Sequence, residues 1–277
     1  MRYVYHFEFC ERPEMPEWLR GDFFRSLGWL QKSFGLHQVL KKNVAQILEE
    51  LSVAQVIELG SGSGEALVAL SQGVQNREVR FFATDRFPKV GLWERCFSSH
   101  KQIEFITSPV SFESVGSGLK SSRELPSQDK GTHIKNLPNA ALLLISTLHH
   151  ADPKQTRLFF EQVAGLKMSI VIVEPLERNI RGALLGLFAG VPSLLVPLFF
   201  KGIAVKERLR FFFLHWIIPV VPFVLSHDGL VSALRQRREV EWRELTQGLP
   251  YQLHFQDRLG PLRNFSVLTL RYVGDGK

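Results

Sequence analysis

The chain has 277 residues, 45% of them apolar and 22% charged, with a net charge of +7. That balance excludes intrinsic disorder, allows one large domain or two small ones, and favours anionic surfaces, whether nucleic acid or phospholipid headgroups. Two cysteines, Cys10 and Cys96, exclude a disulfide scaffold, and no Cys/His cluster suggests zinc, so a reducing, cytoplasmic setting is expected.

In chain order, residues 1–8 hold no long apolar run and no small-residue cleavage site, so no secretory signal is expected. Apolar residues then recur every three or four positions, through Trp18, Phe23, Leu27, Leu30 and Phe34 and again through Leu36, Leu40, Val44 and Leu48. This spacing predicts helices, an N-terminal cap over 1–52. A short apolar run at 53–59 leads into Gly60-Ser61-Gly62-Ser63-Gly64, and a helix follows from Glu65. Further strands are expected at 79–84, 103–106, 140–146 and 168–174, with a helix at 153–166. Nearly continuous apolar strands separated by helices indicate a parallel sheet covered on both faces. Residues 113–139 are polar and read as a mobile loop. A helical stretch at 228–248 precedes two alternating strands around Gly260-Pro261, an antiparallel hairpin. The division expected is 1–52 and 53–277, the latter with an apolar insert at 179–227.

A strand running into glycines that open a helix brings backbone N–H groups close to a ligand. A dinucleotide fingerprint requires glycine at the sixth position, which here is Glu65, and the Gly-Lys-Ser/Thr of a phosphate loop is missing. Glu58 and Glu65 flank the loop and suit a ligand with a cationic end. Asp85, ending the next strand, is placed to accept hydrogen bonds from ribose hydroxyls.

The run Glu58-Leu59-Gly60-Ser61-Gly62-Ser63-Gly64, with Asp85 downstream, resembles the first two motifs of class I S-adenosylmethionine-dependent methyltransferases. The resemblance extends to a bacterial subfamily of that class. It is carried by His6-Phe7-Glu8, Leu148-His149-His150, Glu174-Pro175 and Asp228-Gly229-Leu230-Val231-Ser232-Ala233-Leu234-Arg235. It implies an α/β fold, a Rossmann-like seven-stranded methyltransferase sheet closed by a C-terminal antiparallel hairpin. It also implies S-adenosyl-L-methionine as cofactor, held by Glu58, Gly60, Ser61, Gly62, Gly64, Asp85, Arg86 and Ser111. At Ser111 the chain departs from the subfamily, which carries an Asp near the adenine.

His149, His150 and Glu174 follow strand ends where class I enzymes seat the substrate, and are the candidate catalytic residues. A histidine there can serve as a general base. The alternatives are that the histidines only lead into a helix capped by Asp152, and that Glu174 pairs with Arg178 or Arg181. The Asn/Asp-Pro-Pro-aromatic run of amino-methylating nucleic-acid enzymes and the Pro-Cys of cytosine-C5 enzymes are both missing. Arg235-Gln236-Arg237-Arg238 reads as a solvated helix face rather than a nucleic-acid patch.

The insert joins two apolar halves through Lys201, Lys206, Arg208 and Arg210. It reads as a lid over the site, an interfacial anchor or a transmembrane hairpin. Four prolines, Pro192, Pro197, Pro219 and Pro222, argue against straight spanning helices, and a lid that docks on an anionic membrane through 182–226 is preferred. The expected activity is methyl transfer to a small apolar or lipid-like acceptor, in the cytoplasm and on the inner membrane face. The alternatives are an RNA or protein methyltransferase and an inactive, cofactor-binding, membrane-associated partner protein.

Overall fold

The strands alternate which face they bury, and this sets the architecture. Val56, Phe81, Ala83, Leu143 and Val171 enter one apolar core, while their neighbours Ile57, Phe82, Leu142, Leu144 and Ile170 enter another. A strand buried on both faces needs helices on both. The computed structural model, which describes residues 6–12, 14–121, 139–199 and 205–274, contains such a sheet. Its strands are β1 (Gln55–Leu59), β2 (Arg80–Thr84), β3 (Ile103–Phe105), β4 (Ala140–Ile145), β5 (Ser169–Glu174), β6 (Tyr251–Leu259) and β7 (Phe265–Tyr272). The order is β3-β2-β1-β4-β5-β7-β6. β1 to β5 are parallel, and β7 runs antiparallel to both β5 and β6. The expected closing hairpin is present.

The chain forms two compact units, Met1–Gly35 with Leu176–Arg238 and Leu36–Pro175 with Glu239–Lys277. This corrects the division at residue 52. Leu36, Leu40, Val44 and Leu48 bury in the same core as Leu67 and Leu70, so the second half of the expected cap is part of the sheet unit. Gly73 marks how close that packing is, since a Cβ there would lie 2.6 Å from the Lys41 backbone. A second correction concerns 113–139. Val115–Ser121 is a helix whose Val115 and Leu119, four residues apart, bury in the sheet's other core. The remainder of that stretch, 122–138, lies outside the described residues.

In the helical unit the helix Glu17–Ser33 packs its Phe23 and Leu30 with Leu214, Val221, Val224 and Leu225. The helices Ile180–Leu187 and Val220–Arg235 cross with almost no side chain between them. A Cβ on Gly186 would lie 2.2 Å from the Gly229 carbonyl oxygen, so only glycine fits there. The expected stretch 228–248 is two helices, Val220–Arg235 and Glu239–Thr246, with a break between. Arg235 and Arg237 are buried rather than solvated. Arg235 reaches both oxygens of Glu11, at 2.6 and 3.0 Å, and Glu8 at 3.4 Å. Ser232 also donates to Glu8, and Asp228 accepts from the N–H groups of Phe9 and Cys10. The two ends of the subfamily resemblance, 6–8 and 228–235, therefore interlock.

Candidate active site

The sheet order reverses between β1 and β4, and the carboxyl ends of β1, β2, β4 and β5 open along one edge. Open α/β sheets bind ligands at such a point. Gly60, Gly62 and Gly64 all have left-handed backbones, at φ +83°, +51° and +83°. The resulting loop is tied down from three sides. The N–H groups of Gly60 and Ser61 both donate to the Thr84 carbonyl at 2.9 Å, and the Ser61 hydroxyl accepts from the Thr84 N–H at 3.2 Å. Asp85 Oδ2 accepts from the Gly62 N–H at 3.0 Å, and Trp93 Nε1 donates to the Gly62 carbonyl at 3.0 Å.

The three glycines serve different purposes. A Cβ on Gly60 would lie 2.7 Å from Thr147 Cγ2, and one on Gly64 would lie 2.5 Å from Phe97 Cζ. A Cβ on Gly62 would meet nothing within 4 Å. The outer glycines fit the loop to the protein, and the middle one faces open space. Trp93, Phe97 and Thr147 were not among the residues expected at the site. The three-to-four-residue spacing of Trp93 and Phe97 is a signal of a buried helix face, whereas nothing local marks Thr147.

Glu58 is buried, and among the described residues its Oε2 has no hydrogen-bond donor. Burial pushes its carboxyl up to about 7; the Ser61 hydroxyl opposes this, and the negative charge of Asp85 adds to it. Asp85 is half-buried, and its Oδ1 takes the Phe87 N–H at 2.9 Å. Arg86 is exposed, with its guanidinium carbon 5.6 Å from the Phe87 ring centroid. Ser111 is held in a local turn, its hydroxyl 3.0 Å from that of Ser114. The structure thus gathers Glu58, the glycines, Ser61 and Asp85 into one constellation. Ser111 and Arg86 both act on Glu113, holding its carboxyl below the usual range, the Ser111 hydrogen bond more strongly than the Arg86 charge.

After β4 the chain turns at Ser146, at φ +52°, whose N–H donates to the Val173 carbonyl of β5. The next turn carries His149 into the interior, where Nδ1 lies 2.8 Å from Glu174 Oε2. Both side chains are buried. A carboxylate accepts only, so Nδ1 carries the hydrogen of this contact. His150 is half-buried and packs its ring 4.2 Å from that of His149. Asp152 caps the following helix as expected, accepting from the Gln155 N–H at 2.7 Å.

No family model and no curated protein matches the chain in sequence. Solved structures do match. A putative O-methyltransferase from Nostoc punctiforme aligns with a TM-score of 0.50 at 12% identity, over 97% of this chain and 64% of that one. The plantazolicin methyltransferase BpumL, in complex with SAH, aligns with a TM-score of 0.50 at 10% identity, over 94% of this chain and 91% of that one. The chain has the methyltransferase fold. Human N-acetylserotonin methyltransferase, in complex with SAM, aligns over 89% of this chain at 14% identity with a TM-score of 0.47, and the match spans only 55% of that protein.

Proposed function

We propose that the protein is an S-adenosylmethionine-dependent methyltransferase acting on a small apolar or lipid-like acceptor. The observation that carries this reading is the left-handed glycine loop of β1 with a buried carboxyl beneath it whose Oε2 lacks a donor. A buried acceptor without a partner is costly, and a cationic ligand group would satisfy it. Glu58 and the Gly60–Gly64 loop fit the cofactor's amino-acid end, and Asp85 fits its ribose. Arg86 and Ser111 are further candidate contacts. The cofactor, when bound, supplies a methyl group on a sulfonium.

His149 is the candidate base. Its Nδ1–H is held by Glu174, which would stabilise the imidazolium formed when the ring takes a proton from an acceptor hydroxyl or amine. His150, whose ring lies 4.2 Å from that of His149, is the second candidate for contact with the acceptor. Methyl transfer also needs in-line placement, so the pair accelerates a step that positioning begins.

Incubation with methyl-labelled cofactor and fractionated cell lysate tests this reading. The expected result is label in the organic-soluble fraction. Label in RNA or protein would reassign the acceptor. Cofactor binding with no labelled product in any fraction would make the chain an inactive partner protein.

A further inference from the structure

The helical unit carries an apolar surface that its own core does not use. Of the 23 exposed large apolar side chains among the described residues, 16 lie between Ile180 and Phe223. They are ordered rather than scattered. On Val205–Phe212 and the π-helical turn Phe213–Ile217, the exposed residues Val205, Leu209, Phe212, Phe213, Trp216 and Ile217 recur at helical spacing. Phe211, Leu214 and His215 on the other side are buried. Ile180, Leu184, Leu187, Phe188 and Val191 repeat the same spacing on the preceding helical segment and are exposed too. Each segment therefore has a packed side, of glycines in Ile180–Leu187 and of Phe211, Leu214 and His215 in 205–217, and an outward apolar side. An outward stripe of this size is unusual on a surface that meets only water.

Charge identifies the occupant. Residues 180–226 contain five basic residues and one acid, Glu207. Lys206 and Arg208 are exposed beside the outward stripe, and Arg210 is bound to buried Asp22 at 3.1 and 3.2 Å. Lys201 lies outside the described residues. Trp216, with its indole N–H on the Leu194 carbonyl and its ring stacked on Phe212, has the amphipathic character of an interfacial anchor. No single helix among the described residues is long and apolar enough to cross a membrane. The bent pair Val205–Ile217 and Val220–Arg235 meets the test by length and composition, with a 65° bend between its halves. Its second half is committed to the unit's core through Val221, Val224 and Leu225 and ends on the buried Arg235 cluster.

We propose that the outward faces of 180–199 and 205–217 lie in the plane of an anionic phospholipid bilayer, their apolar side chains in the acyl boundary and Lys206 and Arg208 among the headgroups. This chooses the interfacial anchor from the three readings of the insert, and it stands on the exposure of these side chains, independently of methyl transfer.

Co-sedimentation of the full chain with vesicles of phosphatidylcholine, alone or mixed with phosphatidylglycerol, tests it. The wild type is expected on both, more strongly on the mixture, with salt removing only the excess. Leu209→Glu with Phe213→Glu should lower binding to both at least tenfold. Lys206→Gln with Arg208→Gln should lower binding to the mixture roughly thirtyfold and leave binding to phosphatidylcholine unchanged. Alkaline carbonate should release the protein from membranes. S-adenosylhomocysteine affinity, measured on every variant, reports the other site separately, so either proposal can fail alone. Failure to bind vesicles of either kind would overturn the inference. So would resistance to carbonate, or a wild-type dimer in sedimentation that Leu209→Glu with Phe213→Glu dissolves.

Discussion

Glu58 ties stability to pH through one buried carboxyl. Its value in the fold, about 7, lies above that of an unfolded glutamate. Between roughly pH 4.5 and 7 the folded state therefore keeps a proton that the unfolded chain releases. The stabilisation is fully present below that window and is lost as pH rises through it, a change of about 3 kcal/mol. Glu58→Gln should remove this dependence. Denaturant melts should find the variant more stable than wild type at pH 8, with the gap closing towards pH 4.5. The same substitution should weaken S-adenosylhomocysteine binding and flatten its pH dependence. In the wild type, affinity should fall as pH drops below about 7, because the proton on Glu58 then competes with the ligand's ammonium. His149 and Glu174 are separable by kinetics. His149→Asn and Glu174→Gln should each lower turnover about 10²-fold or more, the usual scale for a lost base, with cofactor affinity nearly unchanged. Equal turnover in both variants and wild type would return the pair to a structural role.

At the scale of elements, the glycine loop gives a graded prediction. Gly60→Ala and Gly64→Ala each add left-handed strain of about 1–3 kcal/mol and a clash. Thr147→Ser removes the Cγ2 that the methyl added by Gly60→Ala would strike, while keeping the hydroxyl that donates to the Ile145 carbonyl. It should rescue Gly60→Ala in part and leave Gly64→Ala untouched, a double-mutant cycle read by thermal or urea melts. Gly62→Ala should cost the fold less, having no clash, and cost cofactor affinity more. Much of this loop was legible in the sequence, because alternating glycines between a strand and a helix, flanked by acids, leave few other readings. Nearly continuous apolar strands likewise pointed to the parallel sheet, and alternating ones to its hairpin. What was illegible depended on distant partners. Arg235 and Arg237 look like a solvated run because the acids that bury Arg235, Glu8 and Glu11, lie more than 220 residues away. The helix Val115–Ser121 is hidden by glycines and serines that lower local propensity, and packing of Val115 and Leu119 overrides it. The boundary at Gly35 is invisible because the helical spacing continues on both sides of it.

For the molecule as a whole, the chain combines a seven-stranded sheet unit with a helical unit built around glycine-mediated helix crossing. Gly186→Ala should force Ile180–Leu187 away from Gly229 and lose hydrogen-exchange protection in 180–193 and 220–235, with that of β1 and β4 retained. The identity of the cofactor is decided by calorimetry. Titration of the folded wild type with S-adenosylhomocysteine should show one site per chain, and Asp85→Ala should weaken it by roughly 1.5–3 kcal/mol, the scale of hydrogen bonds to a charged group. NAD should give no binding. A folded wild type that ignores S-adenosylhomocysteine, or that takes NAD in its place, would rule out S-adenosylmethionine as its cofactor.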